Sequence, residues 1–363
     1  MPAVDFELSP DQLALQEAAR ALLDDRADHD HVRAHLASGE AYDVALWGLM
    51  AEQGWLGVTI AEDRGGVGMT WIEATVLLEE VGRHAAAVPL LPSLLAGSLL
   101  AAAEAPPAEL VTLLAQGERL GCVAWSARPG AVIAVGGGGG WTLSGRIGPV
   151  EAASVAHVAI VPAGDGVFAV DLVAIGRPPA EPAMDGTRTL SWLELDEAPA
   201  DRLGGADLQR TLLDLGALGT SALMLGGADR VLTMATEYAK ERVQFGQPIG
   251  SFQAVKHRCA DMVVDVEGMR SSTWYSAWSV SAAEPDASVA ASTAKVWCSD
   301  AAKRVTGSGL QVHGGIGFTW EHDLHLYLKR AQFEWGSFGS ASFHRQRLGD
   351  MLRERVAAGI GVF

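Results

Sequence analysis

Long helical stretches dominate the second half of this chain. Residues 208–242, 253–282 and 286–307 each read as one helix, and a last helix is predicted over 323–347. Helices this long must lay apolar stripes against one another, so the C-terminal part is predicted to be a helical bundle. Gly216, Gly219, Gly226 and Gly227 lower helix propensity inside the first stretch. Such glycines are either breaks or points of close approach between packed helices.

The first third is also helical. Ser9-Pro10-Asp11-Gln12 is a helix start, with a capping serine, proline in the first turn and an acidic residue at the positive end of the dipole. Further helices are predicted over 42–53, from Thr70 to Gly82, over 93–103 and over 109–116. Near Gly121 the apolar period changes to that of strands. Residues 132–135, 141–143, 155–161, 166–173 and 190–195 read as strands, and the glycine run 136–140 reads as a hairpin connection. Three prolines in 178–182 exclude a central strand there. The expected domains are a helical 1–118, a β-domain 119–202 built as a barrel or sandwich, and a helical 203–363.

Composition narrows the function. Forty-four acidic residues against 27 basic ones give a formal charge of −17, which argues against a nucleic-acid binder. Cys122, Cys259 and Cys298 are too widely spaced for a disulfide scaffold or a metal site. The N-terminus lacks an apolar signal core, and the apolar stretch 88–103, broken by Pro89 and Pro92, is too short to span a membrane. A cytoplasmic protein without membrane insertion is expected.

Three motifs occur in order. The first joins Ala51-Glu52-Gln53-Gly54-Trp55-Leu56-Gly57, Glu62-Asp63 with Gly65-Gly66, and Leu78-Glu79-Glu80-Val81-Gly82. The second is Arg242-Val243-Gln244-Phe245-Gly246-Gln247-Pro248-Ile249-Gly250, and the third is Gln311-Val312-His313-Gly314-Gly315-Ile316-Gly317-Phe318. On its own, Arg242 reads equally as a surface arginine at a helix end, and Gly314-Gly315 as a turn between helices. Together the motifs resemble the acyl-CoA dehydrogenase family over nearly the whole chain. The resemblance implies an N-terminal helical domain, a middle β-domain and a C-terminal four-helix bundle.

It also implies FAD as cofactor. Arg242 would fork onto the pyrophosphate, Phe245 would lie beside the adenine or ribose, and Gln244, Gln311, Gly314 and Gly315 would complete the dinucleotide end. Ser126 would keep one contact to the flavin ring. His313 has no titratable neighbour in sequence, so packing or a cofactor contact suits it better than acid–base work.

The family's catalytic glutamate is absent from both positions known to host it. One is occupied by Phe338, in Ser337-Phe338-Gly339-Ser340, and the other by Gly216. Neither can take the α-proton of an acyl-CoA thioester. Asp214 and Glu334 are the nearby carboxylates that could substitute, though Asp214 points about 200° away from Gly216 on a helix. Glu334 would share a face with Phe338 if one helix held both, and Glu321 suits a cap or an ion pair. Val150 replaces a hydroxyl expected at the flavin ring.

Such a chain is similar to the base-lacking smaller subunits of bacterial heterotetrameric acyl-CoA dehydrogenases that act on sterol-derived CoA thioesters. The resemblance implies an α2β2 assembly with a second family member, an acyl-CoA substrate, and electron-transfer flavoprotein or a similar acceptor. Three other readings remain: a homotetrameric dehydrogenase with a relocated base, a non-catalytic scaffold, and a flavin monooxygenase or nitroalkane-oxidase-like branch. Trp274 and Trp278 share a helical face and read as packing residues.

Overall fold

The computed structural model describes residues 8–137 and 140–359. Gly138 and Gly139 of the glycine run, and the first residues of the N-terminus, lie outside the described residues. Six helices come first: α1 (Pro10–Arg26), α2 (His29–Ser38), α3 (Val44–Glu52), α4 (Trp71–Arg83), α5 (Leu90–Ala101) and α6 (Ala108–Ala115). Strands follow, β1 (Gly121–Val123), β2 (Val132–Gly137), β3 (Gly140–Glu151), β4 (Val158–Ala163) and β5 (Gly166–Asp171), then the one-turn α7 (Leu172–Ile175) and the long β6 (Leu190–Gly204). The chain continues with α8 (Ala206–Glu241), β7 (Val243–Gln244), β8 (Gln247–Pro248), α9 (Gln253–Ser281), α10 (Ala287–His313), α11 (Leu324–Gly336) and α12 (Ala341–Ala357). The order helical, β, helical is as expected.

Three expectations need correction. Nothing in the sequence pattern announced α2. The last helix is two helices, because the chain turns at Phe338, whose φ is 52°, and restarts with Ser340 accepting a hydrogen bond from the Phe343 N–H at 3.3 Å. At the start of α1 the local chemistry is as read, whereas the strand expected over 166–173 ends at Asp171, where the Asp171 side chain caps the helical turn Leu172–Ile175. Ser9 and Gln12 form a reciprocal capping box at α1, Gln12 N–H to Ser9 Oγ at 3.2 Å and Ser9 N–H to Gln12 Oε1 at 3.0 Å, worth about 1 kcal/mol.

The chain forms two compact units. One comprises Asp30–Ala74 and Ala87–Gly216. Its centre is a six-stranded sheet in the order β1-β4-β5-β6-β3-β2, with β1 and β4 parallel. The barrel or sandwich expectation takes the form of this single sheet. β6 serves two ladders: its first part, Leu190 to Ala200, pairs antiparallel with β3, and Asp201 to Gly204 pairs with β5. Ser191, Leu193 and Leu195 alternate inward along it, which is the strand period that sequence reading relied on. Beside β1 packs α5, whose Leu90, Leu94, Leu95, Leu99 and Leu100 are each 1% exposed or less. Burial at roughly 1.5–3 kcal/mol per leucine holds this helix without any side-chain cap. Arg188, itself buried, donates to the Val88 carbonyl and to Glu151, both at 2.8 Å.

The other unit comprises Met1–His29, Thr75–Ala86 and Ala217–Phe363. Within it α4 crosses α8 at glycines. A Cβ on Gly226 would run into the Glu79 carbonyl, and one on Gly82 into the Leu223 carbonyl. Of the glycines expected to act as close-packing points, Gly226 does so here, whereas a Cβ on Gly227 would meet its nearest neighbours only at 3.6 Å, an ordinary contact. Charged side chains tie the same crossing: Arg270 bonds Glu79 at 2.8 Å and Asp229 at 3.0 Å, Arg83 bonds Asp229, and Arg20 bonds Glu80 at 2.6 Å. α8 is long and apolar enough to cross a membrane, but 83% of its most apolar window is buried inside the fold, as in a core helix.

Candidate cofactor site

At the end of α8 the chain leaves the helix at Arg242 and makes the smallest possible hairpin. Val243 pairs with Pro248 and Gln244 with Gln247, leaving Phe245 and Gly246 as the two-residue turn. Both turn residues have positive φ, 53° and 78°. Such a turn suits Asn-Gly; a phenylalanine there is strained by about 1–3 kcal/mol. Nor does burial repay that strain, since Phe245 is 92% exposed. Its ring meets the edge of Phe252, centroids 6.0 Å apart. The Ile249 N–H closes the loop onto the Arg242 carbonyl at 2.7 Å, and Gln244 Nε2 donates to the Val243 carbonyl at 2.7 Å. Arg242 is exposed, and among the described residues nothing pairs with its guanidinium.

The third motif closes α10. Gln311 is exposed in the last turn, and Gly314 takes φ 64° and ψ −138°, a conformation closed to side-chain-bearing residues, while its N–H caps the Leu310 carbonyl. Gly315 and Phe318 are exposed in the 3-10 turn Gly314–Phe318.

His313 joins the two motifs. Its Nδ1 donates to the Gly309 carbonyl at 2.8 Å, and its ring stacks on Tyr238 at 4.5 Å and meets the edge of His322 at 4.5 Å. Burial lowers its pKa, with the Gly309 bond opposing. His313 is thus packed between Tyr238 and His322, packing being one of the two roles expected of it. Tyr238 stands one helical turn before Arg242, so the stack brings the Arg242 hairpin and the Gln311 helix end together. Sequence reading missed Tyr238, which lies four residues outside the motif.

Ser126 lies in the sheet unit, in the loop after β1. Its Oγ accepts the Arg128 N–H at 3.1 Å, which leaves the hydroxyl proton to donate. With Trp125, Arg128, Pro162 and Gln209 it lines a cavity of about 200 Å³. Val150 is 1% exposed in β3, opposite Ser191.

Around Phe338 the structure builds a buried polar clamp that sequence reading missed. Arg347 Nη1 donates to Ser292 Oγ at 3.0 Å, Ser292 hydroxyl donates to His344 Nδ1 at 3.2 Å, and His344 Nε2 donates to the Phe338 carbonyl at 2.8 Å. Burial pushes the His344 pKa down to about 4, with the Phe338 bond opposing. Lys295, fully buried on α10, donates to the carbonyls of Glu334 at 2.7 Å and Trp335 at 3.3 Å, and to Ser299 Oγ at 3.2 Å. Burial pushes the ammonium down to about 7, with the Glu334 carboxylate opposing. Its helical spacing with the buried Ala291, Ala294, Cys298 and Ala302 was the signal that could have placed it inside.

Glu334 and Phe338 do not share a helical face, because α11 ends at Gly336. Glu334 is 2% exposed; Asp214 and Gly216 are buried on α8, and Glu321 is exposed ahead of α11.

Residues 9–105 match the acyl-CoA dehydrogenase N-terminal domain, and residues 204–352 match the C-terminal domain. The chain is 35% identical to acyl-CoA dehydrogenase IpdE2 of Mycobacterium tuberculosis over 322 residues, covering 87% of this chain and 89% of the relative. The chain belongs to the acyl-CoA dehydrogenase family. Among solved structures, the Tcur3481-Tcur3483 steroid acyl-CoA dehydrogenase variant superposes with a TM-score of 0.90 at 33% identity, covering 96% of this chain and 99% of that one. The ChsE4-ChsE5 complex from Mycobacterium tuberculosis superposes with a TM-score of 0.89 at 32% identity, covering 97% and 99%. Members of this oxidoreductase family use FAD. The side chains present suit such a dinucleotide: an exposed guanidinium and aromatic ring follow α8, an exposed amide and glycine backbone end α10, and the Tyr238–His313 stack joins the two helix ends.

Proposed function

We propose that this chain is the base-lacking subunit of a heteromeric acyl-CoA dehydrogenase that desaturates a steroid-derived acyl-CoA thioester, with the catalytic glutamate contributed by a second family member. The observation that carries this reading is the Phe338 turn. An apolar side chain occupies one base position, and the clamp from Arg347 through His344 holds its backbone in place. The other position, Gly216, has no side chain to offer. Glu334 lies beside the buried Lys295 ammonium, where it serves as a counter-ion.

FAD, when bound, supplies the hydride acceptor. Arg242 and Gln311 would hold its phosphate and ribose end and Phe245 would cover the adenine; Ser126, in the sheet unit, keeps a hydroxyl able to donate a hydrogen bond. The unrewarded strain at Phe245 supports a ring that waits for a ligand and a partner surface. Electron-transfer flavoprotein or a similar carrier reoxidises the complex. We also assign functional boundaries near residues 118 and 202, and a cytoplasmic location.

Coexpression with the partner tests the proposal. A complex with two copies of each subunit and one FAD per pair is expected, while the chain alone holds little flavin and turns over below about 1% of the complex, since a general base contributes at least about 10² in rate. A yellow, fully active homomer overturns it.

A further inference from the structure

The helical unit contains a cavity of about 560 Å³ that none of the cofactor residues borders. Gln16 on α1, Glu79 on α4, and Arg270, Trp274 and Tyr275 on α9 line it, with Leu8 at its edge. Its volume lies in the range of small-molecule sites, roughly 300–1,000 Å³. Trp274 and Tyr275 give it aromatic walls, and neither takes part in the flavin motifs.

One polar atom in its lining is unsatisfied. Glu79 is 5% exposed, and its Oε1 accepts from Arg270 Nη1 at 2.8 Å. Its Oε2 is buried and has no hydrogen-bond partner among the described residues. A buried acceptor without a donor is a standing free-energy cost, which a ligand donor relieves. Arg270 already faces three carboxylates, Glu79 at 2.8 Å, Asp229 at 3.0 Å and Glu267 at 3.5 Å, which neutralise its charge toward an incoming anion. An anionic ligand meets the Glu79, Glu80, Asp229 and Glu267 carboxylates. A cationic one meets the Arg270 guanidinium already seated on Glu79. Only an uncharged donor escapes both repulsions.

We propose that this cavity binds an uncharged, flat, mostly apolar molecule bearing a hydroxyl, which donates to Glu79 Oε2 while the rings pack against Trp274 and Tyr275. The site is separate from the proposed flavin and thioester chemistry. It needs neither the partner nor the cofactor.

Calorimetric titration of the full chain at about pH 8, where the Glu79 carboxyl is ionised, without flavin or partner, tests the idea with three probes: 2-naphthol, 2-methoxynaphthalene and 2-naphthoate. Expected is saturable binding of 2-naphthol, with the ether and the carboxylate each weaker by roughly fivefold or more, the effect of leaving one buried acceptor unmet. Trp274→Ala weakens 2-naphthol, and Glu79→Gln narrows its advantage over the ether. Trp274 is only half-buried, so its alanine variant keeps the test alive if the Glu79 variant fails to fold. Absence of 2-naphthol binding, equal binding of naphthol and ether, or indifference to Trp274→Ala in folded protein overturns the proposal. Because no turnover is read, its failure leaves the dehydrogenase reading untouched, and the reverse holds too.

Discussion

Tyr238 lies nearly parallel to His313, ring centroids 4.5 Å apart and planes inclined by 21°. This contact couples the end of α8 to the end of α10, and so couples Arg242 to Gln311. Tyr238→Ala removes no ligand donor, yet flavin retention by the complex should fall, because the two halves of the site lose their alignment. Aromatic stacking of this kind contributes about 0.5–1.5 kcal/mol beyond burial. Flavin absorbance remaining after gel filtration measures the loss, and Tyr238→Phe should behave as wild type.

Arg242→Ala removes the charged donor itself. Retention should weaken by about 1.5–3 kcal/mol, the scale of a charge-assisted hydrogen bond. Lysine at 242 should recover only part of this, because it lacks the planar fork that grips a pyrophosphate. Unchanged flavin occupancy after dialysis of the alanine variant places the dinucleotide elsewhere.

At the empty base position, Phe338→Leu should leave turnover of the complex within a few-fold and cost roughly 1 kcal/mol in stability. Asp214→Asn should be equally mild in turnover. Glu334→Gln separates two roles: turnover per assembled complex persists, while stability at pH 7 falls by less than about 1 kcal/mol, because Lys295, half-protonated there, sheds its proton when its counter-ion is removed. If either carboxamide abolishes turnover in a complex that stays yellow and assembled, the base resides in this chain.

Lys295 imposes a pH signature on folding. Its pKa falls from 10.5 in the unfolded chain to about 7 in the native one, so the unfolded state binds more protons between those values. Stability therefore rises as pH increases from about 7 toward 10.5, by at most about 1.4 kcal/mol per unit. His344 adds a rise between about 4 and 6.5, which Glu79 opposes, its carboxyl being pushed up to about 7 from 4.5 chiefly by burial. Below pH 7 the two offset each other. Melting temperatures of wild type and Lys295→Met, compared from pH 7 to 10, should shift against each other, the wild type gaining on the variant as pH rises. A constant gap refutes the depressed pKa.

Order and type of the long elements were legible because periodicity is a property of many residues at once: α8, α9 and α10 follow the expected spans within a few residues, apart from the end of α10. The turn at Phe338 was not legible. Ser337, Phe338 and Ser340 are tolerated inside helices, and four residues are too few to break an apolar period. Short α2, with Val32 as its single fully buried side chain, gave too thin a stripe to register. In the candidate site, Arg242, Phe245 and Gln311 stood out because motif residues lie close in sequence. The Lys295 and His344 contacts join residues 39 and 52 positions from their partners, a relation that only folding creates.

The double pairing of β6 governs how the sheet unit comes apart. One strand completes the ladders of both β3 and β5, so detaching it strips hydrogen bonds from both at the same moment. Neither half of the sheet has a smaller piece to surrender first, apart from the edge strands β1 and β2. The amides of β3, β5 and β6 should therefore exchange with solvent as a single group, released at one common opening free energy, while those of β2 exchange ahead of them.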